Sequence, residues 1–315
     1  MLKNLMVSFE VVAPLLFLMA IGGLLLKIRV FDSSTVKKMN SAIFKVFLPA
    51  LIFNNLYNSN LDDIRDIRAG LYAAAVLTGA YILAIVFAAI IEKDRRKCGV
   101  IAQGMCRSNF VIFGLPLCQA IYGDSITGKI SVAVAIVIPV INILAVVSLE
   151  LFRGEKGGFN IKKMIKGVIT NPLIIASALG ILALVTGVKL PVIFEKTVSD
   201  VSKIATPLAL VLLGASINFS TVRGNLKQLI ITISGKLIVV PFIGIGIAAL
   251  LGMRGGDIAL LIAALASPTA VSSYPMALQM DGDGDLAAQI VAFSTTICII
   301  TVFMWVFVLK QLGLI

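Results

Sequence analysis

The sequence predicts an all-α integral membrane protein with ten transmembrane helices. Three observations carry that reading. Of 315 residues, 59% are hydrophobic and only 14% are charged, against about 25% charged in an ordinary soluble domain. The mean hydropathy is +1.04. That excludes a soluble enzyme, which needs more polar surface, and low-complexity disorder, which needs low hydrophobicity. Finally, the apolar residues gather into ten segments near the roughly 20 residues that a helical span requires.

The segments run 9–27, 37–57, 69–91, 97–121, 130–152, 172–188, 191–213, 226–251, 256–280 and 286–309. Short loops separate them, so no appended soluble domain is expected. Lys3 ahead of an apolar stretch ending near Gly22 and Gly23 imitates a signal peptide. The repeat described below argues that this segment is retained as the first span.

The net charge is +11, but the basic residues sit in short loops rather than on a basic face of a folded module. Nucleic acid is therefore not expected as a partner; the lipid bilayer is. Lys27, Arg29, Lys37, Lys38, Lys93, Arg95, Arg96, Lys97, Arg153, Lys156, Lys162, Lys163, Lys166, Arg223 and Lys227 fall on one side of the predicted spans. Only Lys3, Arg65, Arg68, Lys129, Lys189, Arg254 and Lys310 fall on the other. The positive-inside rule then puts both termini outside the cytoplasm.

The chain has no histidine, which removes the commonest general base and metal ligand. Cys98, Cys106, Cys118 and Cys298 form no Cys-x-x-Cys pair. Neither a disulfide, a metal site nor a cofactor is expected.

The two halves, 1–157 and 158–315, read as one domain built from a repeat. A shift of 158 positions superimposes Pro14 on Pro172, Gly22 on Gly180, Lys38 on Lys196, Lys45 on Lys203, Pro49 on Pro207, Asn60 on Asn218 and Arg65 on Arg223. With one residue inserted, Pro116 meets Pro275. Prolines and glycines have backbone reasons to recur. Five spans per copy is an odd number, so the second copy is expected upside down, the inverted-repeat plan of secondary transporters.

Spans 4 and 9 stand apart. Span 4 carries Arg107-Ser108-Asn109 with Gly114 and Pro116. Span 9 carries Pro268, Thr269, Ser272, Ser273, Tyr274 and Pro275. Proline should break each helix, and broken backbone is tolerated in lipid only when buried in protein or lining a cavity. Paired breaks in equivalent positions point to the binding site. Half-helix N-termini favour an anion, and these hydroxyls and amides are suitable partners for one. The plain alternative is a proline kink used for packing, with the hydroxyls bonded back to their own helices.

At these residues the sequence resembles the auxin efflux carrier family, bacterial members in particular. The matching stretches are Arg107-Ser-Asn-Phe…Gly114-Leu-Pro-Leu, Asn171-Pro-Leu, Pro207…Leu213-Gly214-Ala-Ser, Pro268-Thr-Ala with Gln279, and Phe47-Leu-Pro-Ala-Leu-Ile-Phe53 with Asn54 beside it. The likeness spans the whole chain. The family's plant members carry a long central loop, whereas the 153–170 loop here is short. The resemblance implies two inverted five-helix repeats with spans 4 and 9 crossing at Pro116 and Pro275. It implies a scaffold of spans 1, 2, 6 and 7, a moving transport unit of spans 3–5 and 8–10, and a homodimer. It also implies alternating-access transport of small organic anions across the cell inner membrane, either auxin-like acids or dicarboxylates such as malonate and malate. Asn109 would be the central asparagine, and Asn142 a substrate-facing residue in span 5.

A charge at a span centre costs roughly 2.5–3.5 kcal/mol, so Lys45, Arg107 and Lys236 each need a reason. They could attract an organic anion. Lys45 could instead snorkel to the surface, and Lys236 could serve the backbone carbonyls of span 9. Glu195, Lys196, Asp200 and Lys203 read as a surface set of paired charges. Deep acids are scarce, so the coupling ion, proton or sodium, is not legible.

Gly282-Asp-Gly-Asp285 matches the letters of an intramembrane aspartyl protease motif but has no facing aspartate. It opens like a calcium loop, yet the twelfth position is Ala292. It reads as a turn. Two rival readings remain: a sodium-coupled carrier of the bile-acid type, and a membrane sensor that binds ligand without moving it.

Overall fold

A computed structural model of the chain describes residues 2–59, 67–153 and 161–315. Asn60 and Arg65 of the repeat comparison, Lys156 of the charge count and the 157/158 repeat boundary lie outside the described residues.

The described chain is helical, in the order α1 (Leu2–Lys27), α2 (Ser33–Tyr57), α3 (Ile67–Ile91), α4 (Arg95–Cys106), α5 (Phe110–Tyr122), α6 (Thr127–Leu151), α7 (Ile161–Ile169), α8 (Pro172–Thr186), α9 (Val192–Ser216), α10 (Phe219–Leu250), α11 (Gly256–Ala266), α12 (Ser273–Gln279) and α13 (Gly284–Gln311). Eight of the ten apolar segments fall mainly on uninterrupted helix, and 97–121 and 256–280 fall on helix broken at 107–109 and 267–272. Six helices, α2, α3, α6, α9, α10 and α13, are long and apolar enough to cross a membrane. Residues 13–27 of α1 and helices α5, α8 and α11 are apolar but shorter.

Local chemistry sets the helix starts. Asp32, Asp94, Asn171 and Asp283 each accept a backbone N–H of the first turn, at 2.6, 2.9, 2.9 and 2.9 Å. Such caps satisfy donors that a helix N-terminus leaves without partners. Gly282-Asp-Gly-Asp285 forms the turn expected of it, ending in the Asp283 cap of α13.

Prolines shape the interiors. Wide turns occupy Ile43–Phe47, Phe110–Gly114, Gly235–Val239 and Ile262–Ala266. Each ends two residues before a proline: Pro49, Pro116, Pro241 and Pro268. Proline cannot bond the carbonyl four residues back and its ring collides with it. Widening the preceding turn, as in Leu48 N–H to Ile43 O and Val240 N–H to Gly235 O, moves that carbonyl aside.

Two contacts repeat across the halves. A Cβ at Gly22 would lie 1.8 Å from Val211 O, and a Cβ at Gly180 would lie 2.8 Å from Leu56 Cβ and 3.4 Å from Phe53 O. The shift of 158 that carries Gly22 to Gly180 also carries Phe53 to Val211. Helix α1 therefore touches α9 as α8 touches α2. A Cβ at Gly214 would lie 1.9 Å from Met19 O, so α1 and α9 meet backbone to backbone.

Candidate functional site

Helices α4 and α11 stop in mid-protein. At 12 residues, α4 rises only about 18 Å, well short of the roughly 30 Å of a hydrocarbon core. Arg107 caps its end with extended backbone, φ −72° and ψ 117°. Ser267 does the same for α11, φ −61° and ψ 152°, because the residue before a proline avoids the helical region.

The two unwound stretches run antiparallel and pair. Ser108 bridges Thr269. Asn109 N–H donates to Pro268 O at 2.8 Å, and Ala270 N–H donates to Arg107 O at 3.2 Å. The crossing is therefore at Ser108 and Thr269, not at Pro116 and Pro275 as the resemblance implied. Pro116 lies inside α5, which runs on through it behind the wide turn Phe110–Gly114, and Pro275 lies in the first turn of α12. The wide turn moves the clashing carbonyl aside at Pro116, and a first-turn proline removes no helical bond, so neither one breaks its helix. Pro268 is the proline at a break. Gly114 matters for another reason: a Cβ there would lie 2.8 Å from both Cβ and O of Ala263, so α5 presses directly on α11.

A small cleft opens against this crossing. Its polar wall is Arg107, Ser108, Asn109, Asn142, Ser272 and Asn55. Leu48, Ile52, Ile138 and Ile141 supply much of the rest. The cavity volume is about 70 Å³, far below the roughly 300 Å³ at which small-molecule pockets begin. As drawn, it holds a few waters.

Arg107 is 3% exposed. One terminal nitrogen donates to Asn142 Oδ1 at 2.8 Å, the other meets Met276 Sδ, and Nε has no partner. Asn109 is 4% exposed, and its Nδ2 has no partner. These are buried donors held ready beside the N-terminal turn of α5. An unpaired buried donor costs about 1–3 kcal/mol, so both positions favour a ligand that accepts hydrogen bonds.

The remaining expected residues divide. Thr269 Oγ1 donates to Gly104 O at 2.8 Å and its N–H donates to Ser294 Oγ at 3.2 Å, so it secures the crossing. Ser272 lines the cleft, and Ser273 is buried with its hydroxyl unpaired. Tyr274 faces another way. It lines a separate polar cavity with Arg96, Ser216, Asp283 and Asp285, and its hydroxyl lies 3.5 Å from Asn40 Nδ2. Lys236 is fully buried and donates to Ser108 Oγ and Leu265 O, each at 3.1 Å. The carbonyl role expected of it is thus present.

Two expected residues lie off the cleft. Lys45 is exposed and does not line the cleft; its place on α2 suits a snorkelling side chain. Asn54 accepts Asn58 Nδ2 at 3.1 Å along its own helix and stays off the cleft. Asn55 lines the cleft instead. A helical count would have found it, because residues 48, 52 and 55 share one face.

Comparison with known proteins identifies the family. Residues 7–306 match the family described as "Membrane transport protein", which is the auxin efflux carrier family. An "Uncharacterized transporter" of Methanothermobacter thermautotrophicus is 25% identical over 307 residues, covering 96% of this chain and 98% of the relative. "Uncharacterized transporter YfdV" of Escherichia coli K12 is 22% identical over 309 residues, covering 94% and 95%. Helices able to cross a bilayer, a polar crossing inside them and a match over nearly the whole length converge: this chain is a multi-pass membrane protein of the auxin efflux carrier family of transporters.

Proposed function

We propose that this protein is a secondary transporter of small organic anions, mono- or dicarboxylates such as malonate or malate or auxin-like acids, working by alternating access in the cell membrane. The observation that carries the reading is the cleft at the start of α5. It joins a half-helix N-terminus, the buried Arg107 guanidinium and the unpaired Asn109 amide. A carboxylate accepts from all three. Helix N-termini favour anions, and guanidinium–carboxylate bonds are about twice as strong as neutral ones.

In this reading the chain crosses the bilayer ten times as two inverted five-helix repeats. The interrupted pairs α4–α5 and α11–α12 each count as one crossing. The reciprocal contacts of Gly22 with Val211 and Gly180 with Phe53 support the repeat. So does the pairing of Asn109 with Pro268, which are equivalent positions under the one-residue insertion. Helices α1, α2, α8 and α9 form the scaffold and the rest form the transport unit, in a homodimer with both termini outside the cytoplasm. The cleft lies between α2 of the scaffold and the crossing, so movement between the two units would widen it.

The test is uptake of labelled malonate into proteoliposomes, against a neutral amide analogue. Saturable flux of the acid alone, lost in Arg107→Gln, supports the reading. Equal flux of acid and amide sinks it.

A further inference from the structure

Lys236 lies in the wide turn of α10 and is fully buried. Among the described residues, no carboxylate pairs with it or with Arg107. The titratable and charged groups around it are few. Cys106 faces it from the end of α4, while the next residue, Arg107, has Tyr81 of α3 as its neighbour. Helix α11 is apolar from Ile258 to Ala266. Helix α13 packs on the same turn, fixed by Trp305 Nε1–H to Leu237 O at 2.9 Å. Its mid-helix titratable residue is Cys298, whose Sγ sits 2.9 Å from Thr295 O.

The two partners of Lys236 suit both of its protonation states. An ammonium donates to Ser108 Oγ and to Leu265 O. A neutral amine donates to Leu265 O, which only accepts, and accepts from the Ser108 hydroxyl, which also donates. The charge can change by rotation of one hydroxyl, with both contacts kept. Ser108 is also part of the cleft wall, so one hydroxyl separates the lysine from the cleft's contents.

We propose, on the reading that the cleft binds an organic anion, that Lys236 is the carrier's proton site and that a dicarboxylate and a proton load together. Arg107 alone neutralises a monocarboxylate. A dicarboxylate leaves one negative charge over, and a proton from water on the Lys236 amine neutralises it. An O–H bond of a hydronium ion breaks and leaves water as the N–H bond forms, and both changes reverse on release. The linkage is reciprocal: the dianion holds the proton on Lys236, and the protonated lysine holds the dianion. The carrier is then a proton–dicarboxylate symporter whose preference for two carboxylates rests on Lys236.

Titration calorimetry of the purified full-length protein tests this, with malonate and acetate as probes in two buffers of different ionisation enthalpy. The expected result is uptake of close to one proton per malonate and close to none per acetate. On the alkaline side, malonate affinity should fall by about tenfold per pH unit while acetate affinity stays flat. Lys236→Gln should abolish proton uptake and lower malonate affinity to that of acetate. Malonate binding by the wild type without proton uptake would overturn the proposal and leave the anion site standing. Wild-type uptake surviving in Lys236→Gln would overturn it as well. Failure of the wild type to bind either anion at any pH would overturn the anion reading and this proposal with it.

Discussion

The contact between α1 and α9 and the crossing of α4–α5 with α11–α12 are both buried and both bring backbones together, but they are built oppositely. At the first, Gly22 and Gly214 let carbonyls of the facing helix come within 1.8 and 1.9 Å of where a Cβ would stand. At the second, backbones meet through hydrogen bonds of unwound chain, and several buried polar atoms have no partner: Arg107 Nε, Asn109 Nδ2, Ser273 Oγ and Gln103 Oε1. Close apolar packing stabilises one shape and resists change. Unpaired polar atoms cost stability and are kept where a ligand or a movement uses them. The contrast separates a region built to hold from a region built to bind.

That contrast can be broken by substitution. The largest effect is expected at the glycine contact. Gly214→Ala forces a methyl into a backbone carbonyl that cannot move aside, and should cost about 3 kcal/mol or more, read as loss of folded protein in thermal unfolding. A mild change there would mean that α1 and α9 are not a fixed pair. Arg107→Gln comes next. It removes a charged donor from the cleft and should weaken anion binding by about tenfold to a hundredfold in a titration. Pro268→Ala removes the residue that stops α11, and transport should fall well below that of Pro116→Ala, whose proline α5 runs through without a break. Equal loss in flux assays of the two variants would mean that the break is not what matters. The smallest effect is expected at a cap. Asn171→Ala deletes the acceptor for Leu173 N–H and should cost about 1 kcal/mol in thermal unfolding with anion binding intact.

Much of this was legible in the sequence, and the misses share a cause. Apolar period and length marked the helices. Polar residues in mid-span marked the interruptions at Ser108 and Asn109 and at Thr269 and Ser272. The resemblance implies a crossing at Pro116 and Pro275, whereas the chains pair at Ser108 and Thr269. The effect of a proline depends on its place: α5 runs on through Pro116 behind a wide turn, and α11 ends just before Pro268. Asn142, which the resemblance implied as substrate-facing, lines the cleft and accepts from Arg107. Asn54 was chosen over Asn55 because a motif gives neighbours in sequence, whereas the cleft selects one face of α2. Lys45 and Lys236 look alike as isolated lysines in apolar runs. Only packing distinguishes an exposed ammonium from one enclosed between Ser108 and Leu265.

The most direct test of the central claim is thermal unfolding of wild type and Asn109→Ala with and without a series of carboxylates. The Asn109 amide carries a buried donor without a partner, so the variant without ligand should be no less stable than the wild type. A carboxylate at about 100 times its dissociation constant should stabilise the wild type by about 2.7 kcal/mol and the variant by much less. Loss of ligand stabilisation without loss of intrinsic stability would establish the crossing as the anion site. Equal stabilisation of both proteins would contradict it.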